Sequence, residues 1–358
     1  MTDIDTWEWF GNRTFHHSQF APPAKLRAAK ERLGLTVSVC LPTRDEAATV
    51  GGIVKNLRRN LVERARLVDE IVVMDGGSAD DTAAIAEAEG AVVFYEHDVL
   101  PGEGPGSGKG EALWKSLHVC KGDLICFVDA DIRNFHARFV YGLLGPLLED
   151  PEIQYVKAFY ERPIRERNAL RATGGGRVTE LLARPLINLL WPELAGIVQP
   201  LSGEYAGRRE TLEQVPFFSG YGVELGLLVD IAARFGVDAI AQVDLDRRVH
   251  RNQVMQALGR MSFGILQAAF LRLAEEGRSA PGNFATTLVQ FSNELVEYRP
   301  EPREIVTSRR PPIVTVDDSR RRPGHRAAGP PAHQPALAGA GRHRAAAVGR
   351  VRGAPRDP

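Results

Sequence analysis

The chain has 358 residues, 45 Lys+Arg against 45 Asp+Glu, and 44% hydrophobic residues, the composition of an ordinary soluble globular protein. Zero net charge argues against a surface built throughout to hold nucleic acid or anionic lipid. The start, MTDIDTWEWF, is acidic where a secretory signal is basic, and no apolar run reaches the ~18 residues of a membrane span. Cys40, Cys120 and Cys126 make no CxxC pair, and Cys40 and Cys126, inside apolar runs, are expected to be buried, reduced thiols of a cytoplasmic protein.

In chain order, LTVSVCL at 35–41 reads as a buried strand, and Thr43 with Glu46 forms a capping-box pattern for a helix after it. EIVVMD at 70–75 is a second strand that ends in a carboxylate and turns through Gly76, Gly77 and Ser78. Ser78 and Asp81 mark the next helix start. A third strand falls at 91–95, and a helix pattern at 109–119. GDLICFV at 122–128 is a fourth strand, closing on Asp129-Ala130-Asp131. A helix at 136–148, a strand at 153–160 and an apolar-rich helix at 253–276 follow. Strands alternating with helices predict an α/β fold, a mostly parallel sheet covered by helices on both faces.

Composition changes near residue 300. Residues 301–358 hold 12 Arg, no Lys, 5 acidic residues, 9 Pro and no aromatic residue. Such a segment buries too little apolar surface to offset its ordering entropy, so it is expected to be disordered. The neutral total therefore divides into an acidic body, with 33 basic against 40 acidic residues in 1–300, and a basic tail.

In an open α/β sheet, ligands bind beyond the carboxyl ends of the strands. Three such ends carry distinctive polar residues: Pro42-Thr43-Arg44-Asp45-Glu46, Asp75-Gly76-Gly77-Ser78, and Asp129-Ala130-Asp131. Asp75 is placed to accept hydrogen bonds from a base or ribose. Asp129-x-Asp131 can hold one hard divalent cation and the diphosphate it bridges, as Mg²⁺ prefers few carboxylates plus substrate phosphates. The run PGEGPGSGKG at 101–110 fails the P-loop spacing, because Glu103 and Gly110 stand where Gly and Ser/Thr are needed. It leaves Lys109 and free backbone N–H groups at a helix start, where phosphate can bind. Gly174-Gly175-Gly176-Arg177-Val178-Thr179 opens a second region, suited to a small, doubly anionic molecule. His250, in a polar and basic context, is a candidate third metal ligand beside Asp131.

VCLPTRDEAATVGGIV, EIVVMDGGSADDT, GKGEALWKSL and the D-x-D after a strand resemble the GT-A nucleotide-sugar transferases. GGGRVTELLARPL, QPLSGEYAGRRE, GYGVELGLLVDI, DAIAQVDL and HRN resemble the retaining glucosyl- and mannosyl-3-phosphoglycerate synthases of glycosyltransferase family 81. The likeness runs from about residue 7 to residue 261. It implies transfer of glucose or mannose from a UDP- or GDP-linked donor to the 2-hydroxyl of D-3-phosphoglycerate, with Mg²⁺, Mn²⁺ or another divalent cation. Pro42, Thr43, Arg44 and Glu46 would line the nucleoside pocket, with Asp75 and Gly76 near the base. Lys109 would hold the donor diphosphate. Asp129 and Ala130 would lie against the donor, and Asp131 with His250 would ligate the metal. Gly176, Arg177, Thr179 and Asn252 would hold phosphoglycerate. Glu224 would contact the hexose hydroxyls, and the backbone at Leu201 would lie near the reacting centre. The resemblance also implies a cytoplasmic homodimer with no nucleic-acid or membrane partner.

On this reading residues 1–34 pack on the core, 35–160 bind the nucleotide sugar, and 161–300 form the acceptor-binding, helical half. Two departures stand out: Ala130 replaces the usual Ser between the two aspartates, and Thr43-Arg44-Asp45 is more charged than the usual loop. The alternatives are a polyprenyl-phosphate hexosyltransferase, which needs a membrane-facing segment, and a sugar-phosphate nucleotidyltransferase, whose glycine-rich loop should follow the first strand.

Overall fold

The computed structural model describes residues 6–316 except 105, 107, 163, 167–168, 172–175, 250–253, 279–286 and 295–296. Eight strands form one sheet: β1 (Thr14–His16), β2 (Val37–Thr43), β3 (Glu70–Asp75), β4 (Val92–Tyr95), β5 (Leu124–Phe127), β6 (Tyr155–Glu161), β9 (Tyr205–Arg208) and β11 (Ile240–Arg247). Their order across the sheet is β1-β11-β6-β9-β5-β2-β3-β4. Every neighbouring pair is parallel except the two made by β9, which runs antiparallel to both β5 and β6.

Central strands of such a sheet are buried on both faces and read as continuous apolar runs. In β2, Val39 and Leu41 pack into the core on one face with Val73 and Ile53, while Cys40 packs on the other with Val72 and Trp114. The covering helices are α1 (Thr6–Arg13), α2 (Ala24–Leu33), α3 (Val50–Leu57), α4 (Thr82–Ala88), α5 (Lys109–Val119), α6 (Arg138–Glu149), α7 (Arg184–Leu190), α8 (Arg209–Glu213), α9 (Val223–Phe235) and α10 (Met255–Glu275). The N-terminal segment joins this core through buried Trp9, whose Nε1 donates to the Val237 carbonyl at 3.0 Å, and through Phe20 and Leu26. Arg209 closes the end of α5, donating to the Leu117 and Cys120 carbonyls that the helix leaves unpaired and to the Gly122 carbonyl just beyond it.

Two hairpins, β7 (Ile164–Glu166) with β8 (Ala169–Arg171) and β12 (Thr287–Glu294) with β13 (Glu297–Glu304), lie outside the main sheet. A short pair joins β10 (Phe217–Phe218) to β14 (Arg309–Arg310).

Three expectations change. The segment 43–46 does not cap a helix: Thr43 ends β2, and α3 starts seven residues later at Val50. The composition break at 301 is not where packing ends, because β14 pairs with β10 and Trp114 Nε1 donates to the Pro311 carbonyl at 2.9 Å. Ion pairs hold this strap, Arg310 with Glu111 and Arg309 with Asp230 and Glu275, and Ile313 and Val316 beyond it pack against the core. Residues 317–358, the rest of the tail, lie outside the described residues. Finally, β9 adds an antiparallel strand that the alternating pattern did not anticipate.

Candidate active site

The carboxyl ends of β2, β3 and β5 converge, and side chains lace their loops together. Asp75 is 1% exposed and serves the turn after β3, accepting from the N–H groups of Gly77 and Ser78 at 2.9 and 2.8 Å. Its other oxygen accepts from Ser78 Oγ at 2.6 Å and Thr43 Oγ1 at 3.1 Å. Both oxygens of Asp75 are thus engaged by its own loop and by Thr43, and Asp75 is not among the residues that line the cavity described below. Asp45, at φ 58°, accepts from Ala79 N at 2.7 Å, and Thr49 Oγ1 donates to the Ala130 carbonyl at 2.6 Å. The three loops therefore behave as one block.

At its centre lies a charge network. Lys109, the first residue of α5, is 2.5 Å from Asp129 Oδ1 and 3.0 Å from Glu224 Oε1, at the start of α9. Burial disfavours the ammonium, but Asp129 and Glu224 outweigh it and hold its pKa above the usual lysine range. Burial likewise opposes the Asp129 carboxylate, and Lys109 with Arg248 overcomes it, so its pKa falls below the usual range. One nitrogen of Arg248, Nη2, reaches both Asp129 Oδ2 at 2.9 Å and Asp131 Oδ1 at 2.7 Å. Arg248 Nε also lies 3.1 Å from Glu204, a fully buried carboxylate that accepts from Tyr160 OH at 2.5 Å. Gly203 has to be glycine here, because a Cβ would sit 2.0 Å from Asp129 Oδ2.

One cavity of about 490 Å³ opens onto this network. On one side it is lined by Pro42, Thr43, Arg44, Glu46 and Gly76, with Lys109, Asp129, Ala130, Asp131 and Glu224 at the floor. On the other side stand Gly176, Arg177, Thr179 and Leu201, with an apolar wall of Leu258, Met261 and Ile265 from α10. Sequence positions as far apart as Pro42 and Ile265 thus meet in one space. His250 and Asn252 lie outside the described residues. The chain leading to them is anchored beside the D-x-D, since Arg133 N donates to the Val249 carbonyl at 3.0 Å and Val249 N to Asn134 Oδ1 at 2.7 Å.

Four lining or adjacent groups were not singled out from the sequence: Arg248, Glu204, Arg162 and Glu96. Arg248 lies two residues before the HRN motif and Glu204 lies within QPLSGEYAGRRE, so position relative to a motif was the available signal. Glu96 faces Gly76, and burial raises its pKa to about 7.

The donor set fits a hard divalent cation. Asp129 and Asp131 turn carboxylate oxygens toward a shared point where a single cationic nitrogen already bridges them. Oxygen ligands of this kind suit Mg²⁺ or Mn²⁺.

Sheet order, strand-end site and paired aspartates define a nucleotide-sugar transferase of the GT-A fold. Residues 38–218 match the model for glycosyl transferase family 2, and the chain belongs to that family. It is similar to the glucosyl-3-phosphoglycerate synthases of Petrotoga mobilis, at 48% identity over 86% of this chain and 94% of the relative, and of Mycolicibacterium smegmatis, at 46% over 82% and 93%. Among solved structures it is similar to mannosyl-3-phosphoglycerate synthase from Rubrobacter xylanophilus, with a TM-score of 0.79 and 41% identity over 87% of this chain and 97% of that one. It is also similar to glucosyl-3-phosphoglycerate synthase from Mycobacterium tuberculosis in complex with Mn²⁺, UDP and glucosyl-3-phosphoglycerate, with a TM-score of 0.69 and 43% identity over 81% and 94%.

Proposed function

We propose that this chain is a metal-dependent, retaining glucosyltransferase that moves glucose from UDP-glucose to the 2-hydroxyl of D-3-phosphoglycerate. The observation that carries the reading is the single cavity joining the D-x-D and Lys109 to Gly176, Arg177 and Thr179. One wall offers the groups a nucleoside diphosphate needs, and the other offers glycine backbone and a guanidinium to a small dianion. The synthases named above supply the substrate identities.

In this reading Pro42, Thr43, Arg44, Glu46 and Gly76 hold the nucleoside, and Asp75 fixes their loop from below. Asp131 and His250 would hold a divalent cation, which when bound would supply positive charge to the diphosphate. Lys109, kept charged by Asp129 and Glu224, meets the same leaving group with no reorganisation. Glu224 and Asp129 orient the hexose, while Gly176, Arg177, Thr179 and Asn252 orient the acceptor beside Leu201. The C1–diphosphate bond breaks as the C1–O2 bond forms on the same face, and the acceptor proton passes to a leaving phosphate oxygen. Glu224 is not free to act as a nucleophile while paired to Lys109 at 3.0 Å. Trapping a glycosyl adduct on Glu224 would overturn this step.

Mannose transfer is the second reading, favoured by the likeness to the Rubrobacter mannosyl synthase. No helix among the described residues is long and apolar enough to cross a membrane, which gives a polyprenyl-phosphate acceptor no support. The proposal includes a cytoplasmic homodimer. Leu181 and Leu189, 79% and 78% exposed, offer apolar surface to a second copy, and the three buried free cysteines suit a reducing compartment. Purified protein with Mg²⁺, 3-phosphoglycerate and UDP- and GDP-linked glucose and mannose tests the assignment. Glucosyl-3-phosphoglycerate from UDP-glucose is expected, and no product with any donor would reject it. Light scattering gives the oligomeric state.

A further inference from the structure

A second convergence of ligating groups lies at the β1 edge of the sheet, outside the cavity. β1 runs parallel to β11, with His16 opposite Asp244. Between Asp244 and Arg247, β11 slips register against β6, and Asp246 within the slip has φ 65°. A bulge of this kind re-aims a side chain, here bringing the Asp246 carboxylate to the end of β1. His16 Nε2 is 3.0 Å from Asp246 Oδ1, and His17 Nε2 is 2.7 Å from Oδ2. Adjacent strand residues ordinarily point to opposite faces. The chain leaves β1 for a helical turn at His17, so the two imidazoles lie side by side, ring centroids 4.4 Å apart.

We propose that His16, His17 and Asp246 form a binding site for an imidazole-preferring transition-metal ion, represented by Zn²⁺ and distinct from the D-x-D. Two neutral imidazoles and a carboxylate, with water in the fourth position, are a normal Zn²⁺ ligand set. The three ligand atoms lie within 4.8 Å of one another. A tetrahedral ion at about 2.1 Å spaces its ligands roughly 3.4 Å apart, so the cluster opens by a few tenths of an ångström on binding. His16 and Asp246, 42% and 48% exposed, have room to do so.

A metallated histidine usually donates its other N–H to a fixed acceptor. Tyr141 OH lies 3.2 Å from His17 Nδ1, and Ser18 Oγ lies 2.7 Å from His16 Nδ1. The Ser18 backbone N–H, 3.3 Å from His16 Nδ1, gives up that bond when the ring changes tautomer. Mg²⁺ is disfavoured: there is one carboxylate, and Arg138 Nε sits 3.5 Å from its Oδ2. A bound ion would staple edge strand β1 to β11 two residues before Arg248.

The test is Zn²⁺ and Co²⁺ titration of the full chain in excess Mg²⁺, comparing wild type with His16→Ala/His17→Ala and Asp246→Asn, in backgrounds with and without Asp131→Ala. Wild type should bind one equivalent of Zn²⁺ more than the double variant, and Asp246→Asn should weaken that equivalent at least tenfold. The visible d–d bands of four-coordinate Co²⁺ should survive Asp131→Ala and disappear with either change at the cluster. Circular dichroism checks that each variant is folded, and the partly exposed Asp246→Asn keeps the test decisive if the double variant is not. Equal stoichiometry and equal spectra in wild type and a folded cluster variant would overturn the proposal.

Discussion

Arg310 straddles the Glu111 carboxylate, its Nε 2.8 Å from Oε2 and its Nη2 3.0 Å from Oε1, across 199 residues of sequence. The same guanidinium donates to the Glu103 carbonyl at 2.7 Å and lies over the Trp114 ring at 5.3 Å. It thereby clasps the glycine-rich loop immediately before Lys109. Glu111 is fully buried, so removing its partner strands a charge. Arg310→Ala should cost about 3 kcal/mol, the low end for a broken buried pair because Lys115 stays 3.6 Å from Glu111. That corresponds to a fall of roughly 6–12 °C in Tm. Arg310→Ala/Glu111→Gln should recover part of the loss. A stop after Asp318 should leave Tm and activity intact, whereas a stop after Pro300 should not. Melts of the four proteins decide this.

Arg177→Ala should raise the KM for 3-phosphoglycerate about 10- to 100-fold, the range for one or two lost hydrogen bonds to a charged group. The KM for the donor should change far less. The reverse split in initial-rate kinetics would move Arg177 to the donor site.

Asp131→Ala should cut turnover on the order of a thousandfold, as expected when a cation worth several kcal/mol of charge stabilisation is lost. EDTA should abolish wild-type activity and added Mg²⁺ or Mn²⁺ should restore it. Full activity in EDTA would contradict the metal role.

Lys157 lies fully buried on β6 beneath the network, its Nζ 4.4 Å from the Tyr205 ring centroid and without a hydrogen-bonding partner among the described residues. Burial drives its pKa down to about 7 against the attraction of Glu224. Between that value and the ordinary 10.5 the unfolded chain binds a proton that the folded chain does not, so stability contributed here rises with pH. Below about pH 7 the burial cost is present in full. Lys157→Met should therefore raise Tm most near about pH 6, with the gain shrinking toward about pH 10. A gain independent of pH would show that the lysine does not titrate in this window.

Where a property belongs to a stretch of chain, the sequence was a good guide. Glu70–Asp75 and Lys109–Val119 form as read, because an apolar run and a glycine-lysine helix start are local signals. Most of the candidate residues meet in one cavity because strand ends in this topology face the same way. The partners of Asp75 come from two loops, and nothing in EIVVMD says that Thr43 and Ser78 will engage it. Arg248 and Glu204, 44 residues apart, form a buried ion pair that no window of sequence contains. The strap at 309–310 was missed for a related reason. Its ion pairs are long-range, and an aromatic-free, proline-rich composition reports only on apolar burial.

The sharing of one Arg248 nitrogen by Asp129 and Asp131 bears on how the site is loaded. Two carboxylates two residues apart would otherwise repel, and the chain would need an outside ion to tolerate them. Arg248 acts as a resident counter-ion that offsets part of their charge before any cofactor arrives. Cation loading is then an exchange in which the guanidinium yields a carboxylate it already holds. Its retained contact with Glu204 gives it somewhere to stay. A chelator should accordingly silence such a site without unfolding it.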